Sequence, residues 1–585
     1  MTGLPRPAVP ARLCSFVIVC FGLLASAEPS HATSPVKAES PTALLLEARG
    51  IAASIDDRVE RSAALDPIVV AQIAMDPPQA RETLRAFPKL PNKLNYLAAL
   101  AAAYAKNANV AETERIYAEI VVEDQSSRVG KLAAANALGQ LAMAYANKGN
   151  VEEAFRTLER LKDRTKQEPP AIVGDVTASL AEAQAKQGNV HGAVKTAVSI
   201  AGENPHPLMA IVGDLVRKGN AQKAQEIVAG LDDGAKSYAQ WGIVQAQITQ
   251  GRLTDAQVTA SAIKPGHAKA SALLELAHYH LQHGAKQLAL LLLQEAETSA
   301  RSTVNDWTRA DILWRIAAET ALAGDAARAI AIAKSIEKEG HRDSAISDIA
   351  KAQAKRGDFA DAFNTASLLK QTPPTSVLAV SRYDVTLFGI LVQMVKAGKG
   401  TEAKDTAAKF QDTDIRRSWL YSGIAMAYAD VGNVKEAKSV LALAETEDQR
   451  SARRKELRQI AEKRRLGSTP ADDTRLQELV ETDIEIRPGL DAIAQALARN
   501  GDLTSAMAIA DQLNHPAHRL DVIKTLTALH VHSGRKEQTL RWARKLSSAS
   551  EKVFALVGIA TALSQEADKR KGKPAPPHKS AMARG

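Results

Sequence analysis

Apolar and small residues recur at helical spacing along almost the whole chain, in pairs of short segments separated by a glycine. Residues 141–161, LAMAYANKGNVEEAFRTLERL, form the clearest unit. Ala142 and Tyr145 lie on one face of the segment before Gly149, and Leu158 lies on the apolar face of the segment after it. Apolar positions three and four residues apart form one face of an α-helix. The unit therefore predicts two amphipathic helices joined by a tight turn.

A glycine marks the turn in each unit, and an alanine follows it after five residues. The turn glycines are Gly149, Gly188, Gly219, Gly251, Gly284, Gly324, Gly357, Gly398, Gly432, Gly501 and Gly534. The alanine follows the first ten of these glycines, and Thr539 takes its place after the last. Ala108 with Thr113 is a weaker first copy of the unit, and Gly467 belongs to a degenerate copy. We therefore predict an all-α fold, an α-solenoid of about 12–13 stacked helix–turn–helix repeats that forms a curved superhelix.

The units share the pattern small–x–x–Tyr–x–x–x–Gly–Asn/Asp–x–x–x–Ala, which resembles the tetratricopeptide repeat (TPR). Residues 180–200, 349–369, 424–444 and 493–513 follow it closely, and the resemblance covers about residues 94–565. Asn or Asp follows the glycine in seven copies, where it can cap the second helix. Glutamine often replaces the tyrosine and the closing proline is rare, so a related α-solenoid class stays open. The resemblance implies a concave groove, lined by the first helices, that binds protein segments.

The first 32 residues have the pattern of a secretory signal peptide. Two arginines precede an apolar run over residues 13–24, and small residues at Ala27 and Ala32 offer two cleavage sites. The run is shorter than the roughly 20 residues that a membrane-spanning helix needs. We therefore expect a cleaved signal and a periplasmic or secreted protein; an uncleaved anchor is the alternative. Both cysteines, Cys14 and Cys20, lie in this segment, so the mature chain has no thiol chemistry.

The remaining pattern suggests the domain limits. They are a signal peptide at 1–32, a flexible leader at 33–45, an N-terminal helical cap or degenerate repeat at 46–92, a repeat array at 93–552 with a basic degenerate repeat at 450–482, a capping helix at 553–566, and a disordered basic tail at 567–585. No second long apolar run follows the signal, so we expect no transmembrane span in the mature chain.

The formal net charge of +9 is concentrated in two short segments, residues 450–465 and 568–585. The first contains the candidates for an anionic surface: Arg450, Arg453, Arg454, Arg458, Arg464 and Arg465. They could bind an acidic protein, lipid headgroups or a wall polymer; a solvated helix in a decayed repeat is the alternative. Aromatic residues are absent from this run. We therefore expect no nucleic-acid partner.

The scarce large aromatic residues occupy two positions of the first helix. Trp241, Trp314 and Phe388 lie ten residues before their turn glycine, and Tyr238 and Trp419 lie thirteen before it. In a TPR-like array both positions face the concave surface. These five side chains are candidate anchors for a partner peptide; packing between neighbouring first helices is the alternative.

The motifs of catalysis are missing. His280 and His283 share a helix face but have no third ligand nearby, so we expect no metal site. Gly398 is followed by Lys-Gly-Thr, but it is a repeat turn and lacks the earlier glycine of a phosphate-binding loop. We expect no catalytic residue, no metal and no cofactor.

Two hypotheses for function follow. In the first, the protein is an exported, non-enzymatic scaffold that binds a protein or peptide partner in its concave groove. In the alternative, it binds a cell-envelope polymer such as peptidoglycan, or another anionic surface, and acts with a partner enzyme. An enzyme is the third and least favoured class.

Overall fold

A computed structural model describes residues 40–571 except 124–126, 166–171, 370–380, 411–416, 447–448, 451, 454, 458, 461–469 and 514. Throughout this part of the chain the regular elements are helices, and no strand occurs in it. The predicted signal peptide, most of the leader and residues 572–585 lie outside the described residues.

The first half of the chain forms α1 Pro41–Ala53, α2 Arg58–Met75, α3 Pro77–Ala86, α4 Lys93–Lys106, α5 Val110–Glu123, α6 Arg128–Asn147, α7 Val151–Arg164, α8 Ile172–Lys186, α9 Val190–Val198, α10 His206–Arg217, α11 Ala221–Ala229, α12 Asp233–Thr249, α13 Leu253–Ala262 and α14 His267–Gln282. The second half forms α15 Lys286–Arg301, α16 Asp306–Ala323, α17 Ala326–Lys334, α18 Glu339–Arg356, α19 Phe359–Ala366, α20 Arg382–Lys396, α21 Gly400–Ala408, α22 Arg417–Asp430, α23 Val434–Ala444, α24 Pro470–Arg499, α25 Leu503–Ala510, α26 Pro516–His532, α27 Lys536–Lys545 and α28 Ala549–Lys571. The described residues between 449 and 460 are also helical.

Each predicted turn glycine ends a first helix in the left-handed conformation. All eleven have φ between 72° and 109°, and Ala108, in the weaker first copy, has φ 53°. After Gly149, the N–H of Asn150 donates to the carbonyl of Tyr145 at 2.8 Å, which is the bond that closes a Schellman turn. Five of the seven predicted Asn or Asp caps accept a hydrogen bond from the third backbone N–H of the next helix: Asn150, Asn189, Asp325, Asn433 and Asp502.

The residue five positions after the turn lies where the two helices of a hairpin cross most closely. The ten alanines at this position are 0% exposed, and so are Thr113 and Thr539. Both threonines satisfy their hydroxyls by donating to a backbone carbonyl one turn earlier, at 2.8 Å. A small side chain here lets the helices approach, which explains the alanine repeat.

The helices form two concentric rows. Consecutive even-numbered helices pack against each other from α2 to α28, and each odd-numbered helix packs against the two even-numbered helices that flank it. Among the described helices, no two odd-numbered ones pack together to a similar extent. Because the even-numbered row has the closer spacing, it forms the inner surface and the odd-numbered row forms the outer one.

The two ends of the array meet. The last inner helix, α28, packs against α2, so the inner row is closed. It also packs against α1, which occupies the place of the second helix that α28 lacks. Leu44, Leu45 and Ala48 of α1 are at most 1% exposed in this contact. The protein is therefore a closed ring, a property that the repeat pattern did not predict.

The ring has an open centre. Helices from opposite sides do not pack together in the described part of the chain. For fourteen inner helices among the described residues, spacings of about 9 Å give a flat ring about 40 Å across between opposite axes, and helices about 10 Å thick leave an opening of about 30 Å. An extended peptide or a single helix fits through such an opening.

The turn geometry can be tested with two glycines near α8. Gly188 has φ 82° at the turn, whereas Gly174 lies inside α8, and an added Cβ meets no atom within 4 Å at either position. We expect Gly188→Ala to lower stability by about 1–2 kcal/mol, because alanine is strained in the left-handed region. Gly174→Ala serves as the control and should raise stability by about 0.5–1 kcal/mol. Chemical denaturation measures both, and equal effects would contradict the assignment of the turn.

Candidate functional site

A cleft of about 380 Å³ opens on the inner surface between α14, α16 and α18. It is lined by Leu274, Glu275 and His278 of α14, by Trp314, Arg315, Ala318 and Glu319 of α16, and by Asp348 of α18. All three helices belong to the inner row, so the cleft faces the centre of the ring.

Hydrogen bonds between neighbouring helices hold the walls of the cleft together. The indole N–H of Trp314 donates to Oδ2 of Asp348 at 2.9 Å and links α16 to α18. Nδ1 of His278 lies 2.9 Å from Oε1 of Glu319 and links α14 to α16. These side chains are therefore oriented before any partner arrives, which lowers the entropy cost of binding.

Glu275 is a half-buried acid in the wall of the cleft. Burial raises the pKa of Glu275, and this is opposed by a hydrogen bond from Gln245 at 3.0 Å, by the Trp241 indole and by the charge of Arg315. The nearby Trp241 indole lowers the pKa of Glu275. Its Nε1 is nevertheless buried and does not reach the geometry of a hydrogen bond with any partner. Carboxylates kept in such surroundings are typical of functional sites.

Glu319 offers an unused acceptor. Its Oε1 contacts His278, but its Oε2 is buried and has no hydrogen-bond partner. A buried oxygen without a donor costs free energy, and a rotation of the Glu319 side chain that exposes Oε2 to a ligand's N–H group would recover it. The cleft thus combines an aromatic wall with a carboxylate that can accept a further hydrogen bond.

The five aromatic residues chosen from the sequence all lie on inner helices. Trp241 is 7% exposed; its ring centroid lies 6.5 Å from that of Tyr238 and 5.9 Å from the ring of His267 on α14. Phe388 of α20 and Trp419 of α22 have centroids 4.5 Å apart. Both groups pack between neighbouring inner helices, while half-buried Trp314 lines the cleft. Their role as partner anchors stays a prediction.

The pair of Phe388 and Trp419 depends on a glycine. A Cβ added at Gly423 of α22 would lie 2.4 Å from the ring of Phe388, a distance at which one group must move. The missing side chain leaves room for the phenyl ring, which explains this glycine inside a helix.

Two of the arginines chosen for an anionic surface are not on the surface. Arg450 is 7% exposed and donates to Gln512 at 3.0 Å and to the Glu445 carbonyl. Arg453 is 5% exposed and forms two hydrogen bonds of 2.8 Å with the Glu445 carboxylate. The prediction was wrong for both, because neither guanidinium is exposed and each already has hydrogen-bond partners inside the protein. Arg454, Arg458, Arg464 and Arg465 lie outside the described residues.

The acidic residues of the cleft were not singled out from the sequence, although a signal for them exists. Glu275, Arg315 and Asp348 each lie nine residues before their turn glycine, and His278 and Ala318 lie six before it. Residues at equal distances from the turn occupy equivalent positions in successive repeats. A comparison of these positions across the repeats would have drawn attention to the cleft.

Two other properties concern only the described residues. In that part of the chain, no three His, Cys, Asp or Glu side chains are placed to hold a metal ion. None of its helices combines the length and apolar character needed to cross a bilayer.

Comparison with known proteins gives no family. No protein-family model and no curated protein sequence matches the chain. The pentatricopeptide repeat protein PPR10 from maize is 12% identical, with 92% of this chain and 89% of that chain covered and a TM-score of 0.29. A circular tandem repeat protein with novel repeat topology is 12% identical, with 91% and 97% covered and a TM-score of 0.14. A structure of Naa15/Naa10 bound to HypK-THB is 13% identical, with 87% of this chain and 80% of that chain covered and a TM-score of 0.24. The helical-repeat architecture therefore rests on the turns and contacts of this chain itself.

The burial of Glu275 can be tested by its effect on stability. Its pKa is raised above the ordinary 4.5, so the ionised form destabilises the fold once the pH rises through the folded-state pKa. We expect Glu275→Gln to raise the melting temperature at pH 7, with the gain shrinking as the pH falls towards 4.5. Calorimetry at a series of pH values measures this. A constant gain at every pH, or none at all, would contradict the account.

Proposed function

We propose that the protein is an exported, non-enzymatic scaffold whose inner surface binds a segment of a partner protein. The observation that carries the proposal is the cleft between α14, α16 and α18, with Trp314 in its wall and an unused acceptor on Glu319. A half-buried tryptophan in a preformed cleft is a common anchor of binding energy. Export is part of the proposal, supported by the sequence pattern of residues 1–32.

The charges of the cleft favour a segment that carries an arginine or a lysine. Glu275, Glu319 and Asp348 contribute three carboxylates, against the single guanidinium of Arg315 among the lining residues. A cationic head can donate to Oε2 of Glu319, while its alkyl stem packs against the indole of Trp314. The paired hydrogen bond and aromatic contact would select such a side chain over an acidic one.

The polymer-binding alternative has less support. It needs exposed cations on residues 450–465, yet Arg450 and Arg453 are buried and paired with Glu445 or Gln512. Binding to purified wall material that disappears at high salt would still favour that alternative. Its absence would leave the protein-binding scaffold as the better proposal.

Position-specific photo-crosslinking in intact cells tests the proposal. A photoreactive phenylalanine analogue replaces Ala318 in the cleft or, as a control, Val258 on the outer helix α13, which is 67% exposed. We expect a partner protein to be captured from position 318 and not from position 258. Trp314→Ala should weaken binding of that partner by about 2 kcal/mol, or roughly thirtyfold, as for an interface hot spot.

A further pair of variants checks the charge argument. Glu319→Gln should also weaken capture from position 318, whereas Glu295→Gln, on the outer helix α15, should not. Circular dichroism confirms that the variants remain helical. Equal capture at positions 318 and 258, or capture that Trp314→Ala leaves unchanged, would contradict binding at the cleft.

A further inference from the structure

The hairpin formed by α28 and α1 differs from every other hairpin in the described ring. Elsewhere the second helix follows the first along the chain, across a turn of a few residues. Here the first helix comes at residues 549–571 and its partner at residues 41–53. No peptide bonds join these two helices directly, so only non-covalent contacts hold the ring closed at this junction.

Most of the closing contact is apolar. Leu44, Leu45, Ala48 and Ala52 of α1 are at most 1% exposed, and α28 contributes Val553 at 0%. Burial of such side chains is enough to keep α1 in place most of the time. The contact is more extensive than that of most hairpins in the ring, but it lacks the turn that would restore it after separation.

The polar contacts across the junction are few. Glu47 of α1 and Arg544 of α27 form an ion pair with distances of 3.1 and 2.9 Å, and their side chains are 34% and 45% exposed. Ser550 donates to Glu60 of α2 at 2.7 Å. An ion pair with this much solvent access stabilises only weakly. The polar contacts seen here among the described residues would therefore oppose opening only weakly.

We propose that the ring opens where α28 meets α1 and α2, admits an extended segment of a partner protein sideways, and then closes around it. This inference rests on the proposed function, since the segment is the one that binds the inner cleft. A segment flanked at both ends by folded domains wider than about 30 Å cannot be threaded through the opening. It can enter only through a gap in the ring, and separation at this junction leaves every covalent hairpin intact.

Enclosure has a kinetic consequence. A segment on the surface of an open solenoid leaves as soon as its own contacts break. A segment inside a closed ring, if it is flanked by domains wider than the opening, must also wait for α28 to separate from α1 and α2, so the opening rate limits its release. The ring would thus hold a partner longer than the contacts in the cleft alone allow.

Hydrogen exchange under native conditions tests the opening without any partner. We expect residues 41–53 and the matching face of 549–571 to exchange together, at least about tenfold faster than the inner helices α12 to α18, because they open in a smaller unit than the whole ring. Exchange of α1 only through global unfolding would overturn the proposal.

A covalent lock across the junction provides the matched comparison. The two cysteines of the chain, Cys14 and Cys20, lie in the predicted signal segment, so an introduced pair is unique in the mature protein. Glu47→Cys with Arg544→Cys, joined by a short bismaleimide, ties α1 to α27. The control pair, Glu297→Cys with Arg328→Cys, replaces another ion pair of 2.9 Å between neighbouring outer helices and leaves the junction free. Each pair before crosslinking is its own control for folding.

We expect the two crosslinks to differ in their effects on hydrogen exchange and on capture of the partner. The 47–544 crosslink should abolish the fast exchange of residues 41–53 and lower partner capture from position 318 by at least about tenfold, because a locked ring cannot admit the segment. If the crosslink is instead added after the partner has bound and before any photolysis, it should slow release of the partner by a similar factor. The 297–328 crosslink should change neither property.

The outcomes separate this inference from the proposed function. If the locked ring captures the partner as well as the control does, enclosure is wrong and binding at the cleft stands. If no variant captures a protein from position 318, both proposals fail. If α1 exchanges fast but locking changes neither capture nor release, the junction opens without serving the partner, and enclosure is again overturned.

Discussion

The close crossing of two helices within each hairpin is the constraint on which the rest of the structure depends. In the described hairpins from α4 to α27, a left-handed residue ends the first helix, and a fully buried small residue five positions later lets the second helix approach it. Repeated around the chain, this geometry places the first helices in contact and holds the second helices outside them. The direction of curvature, the position of the inner surface and the final meeting of the two ends all follow from that arrangement.

The local part of this architecture could be predicted from the sequence because each step involves residues close together in the chain. Gly149 and its ten counterparts adopt the predicted left-handed turn, and Ala154 and its counterparts are buried as an amphipathic pattern requires. The closure could not be predicted in the same way. It joins Glu47 to Arg544 across almost the full length of the chain, and the apolar run around Leu44 looks like that of any amphipathic helix.

The candidate site shows the same limit. The positions of Trp314 and Trp241 on first helices were evident from their distance to the turn, but the partners that those helices bring together were not. Asp348 meets Trp314 only because α16 and α18 are neighbours in the same register. The basic run misled for a related reason: Arg453 has its counter-ion, Glu445, in a preceding segment that folds back onto it. In both cases the environment of a charge depends on tertiary packing rather than on local composition.

Ring closure would affect both the energetics and the kinetics of binding at the inner surface. Burial raises the pKa of Glu275 in this surface, and acids in such surroundings are frequent at functional sites. A closed ring would also slow the release of a ligand bound inside it, because the ligand is retained by topology as well as by contacts. Trp314 and Glu319 would then set which segment is recognised, while α1 sets how quickly it exchanges.

The distance between the two ends of the folded chain tests closure most directly. The distance between spin labels on cysteines introduced at Leu46 of α1 and Lys545 of α27, both exposed, can be measured by double electron–electron resonance in a variant whose Cys14 and Cys20 are replaced by serine. In a closed ring the Glu47–Arg544 ion pair holds the two backbones close together, so a single short distance is predicted. A broad distribution centred at many tens of ångströms would show an open superhelix and contradict the account.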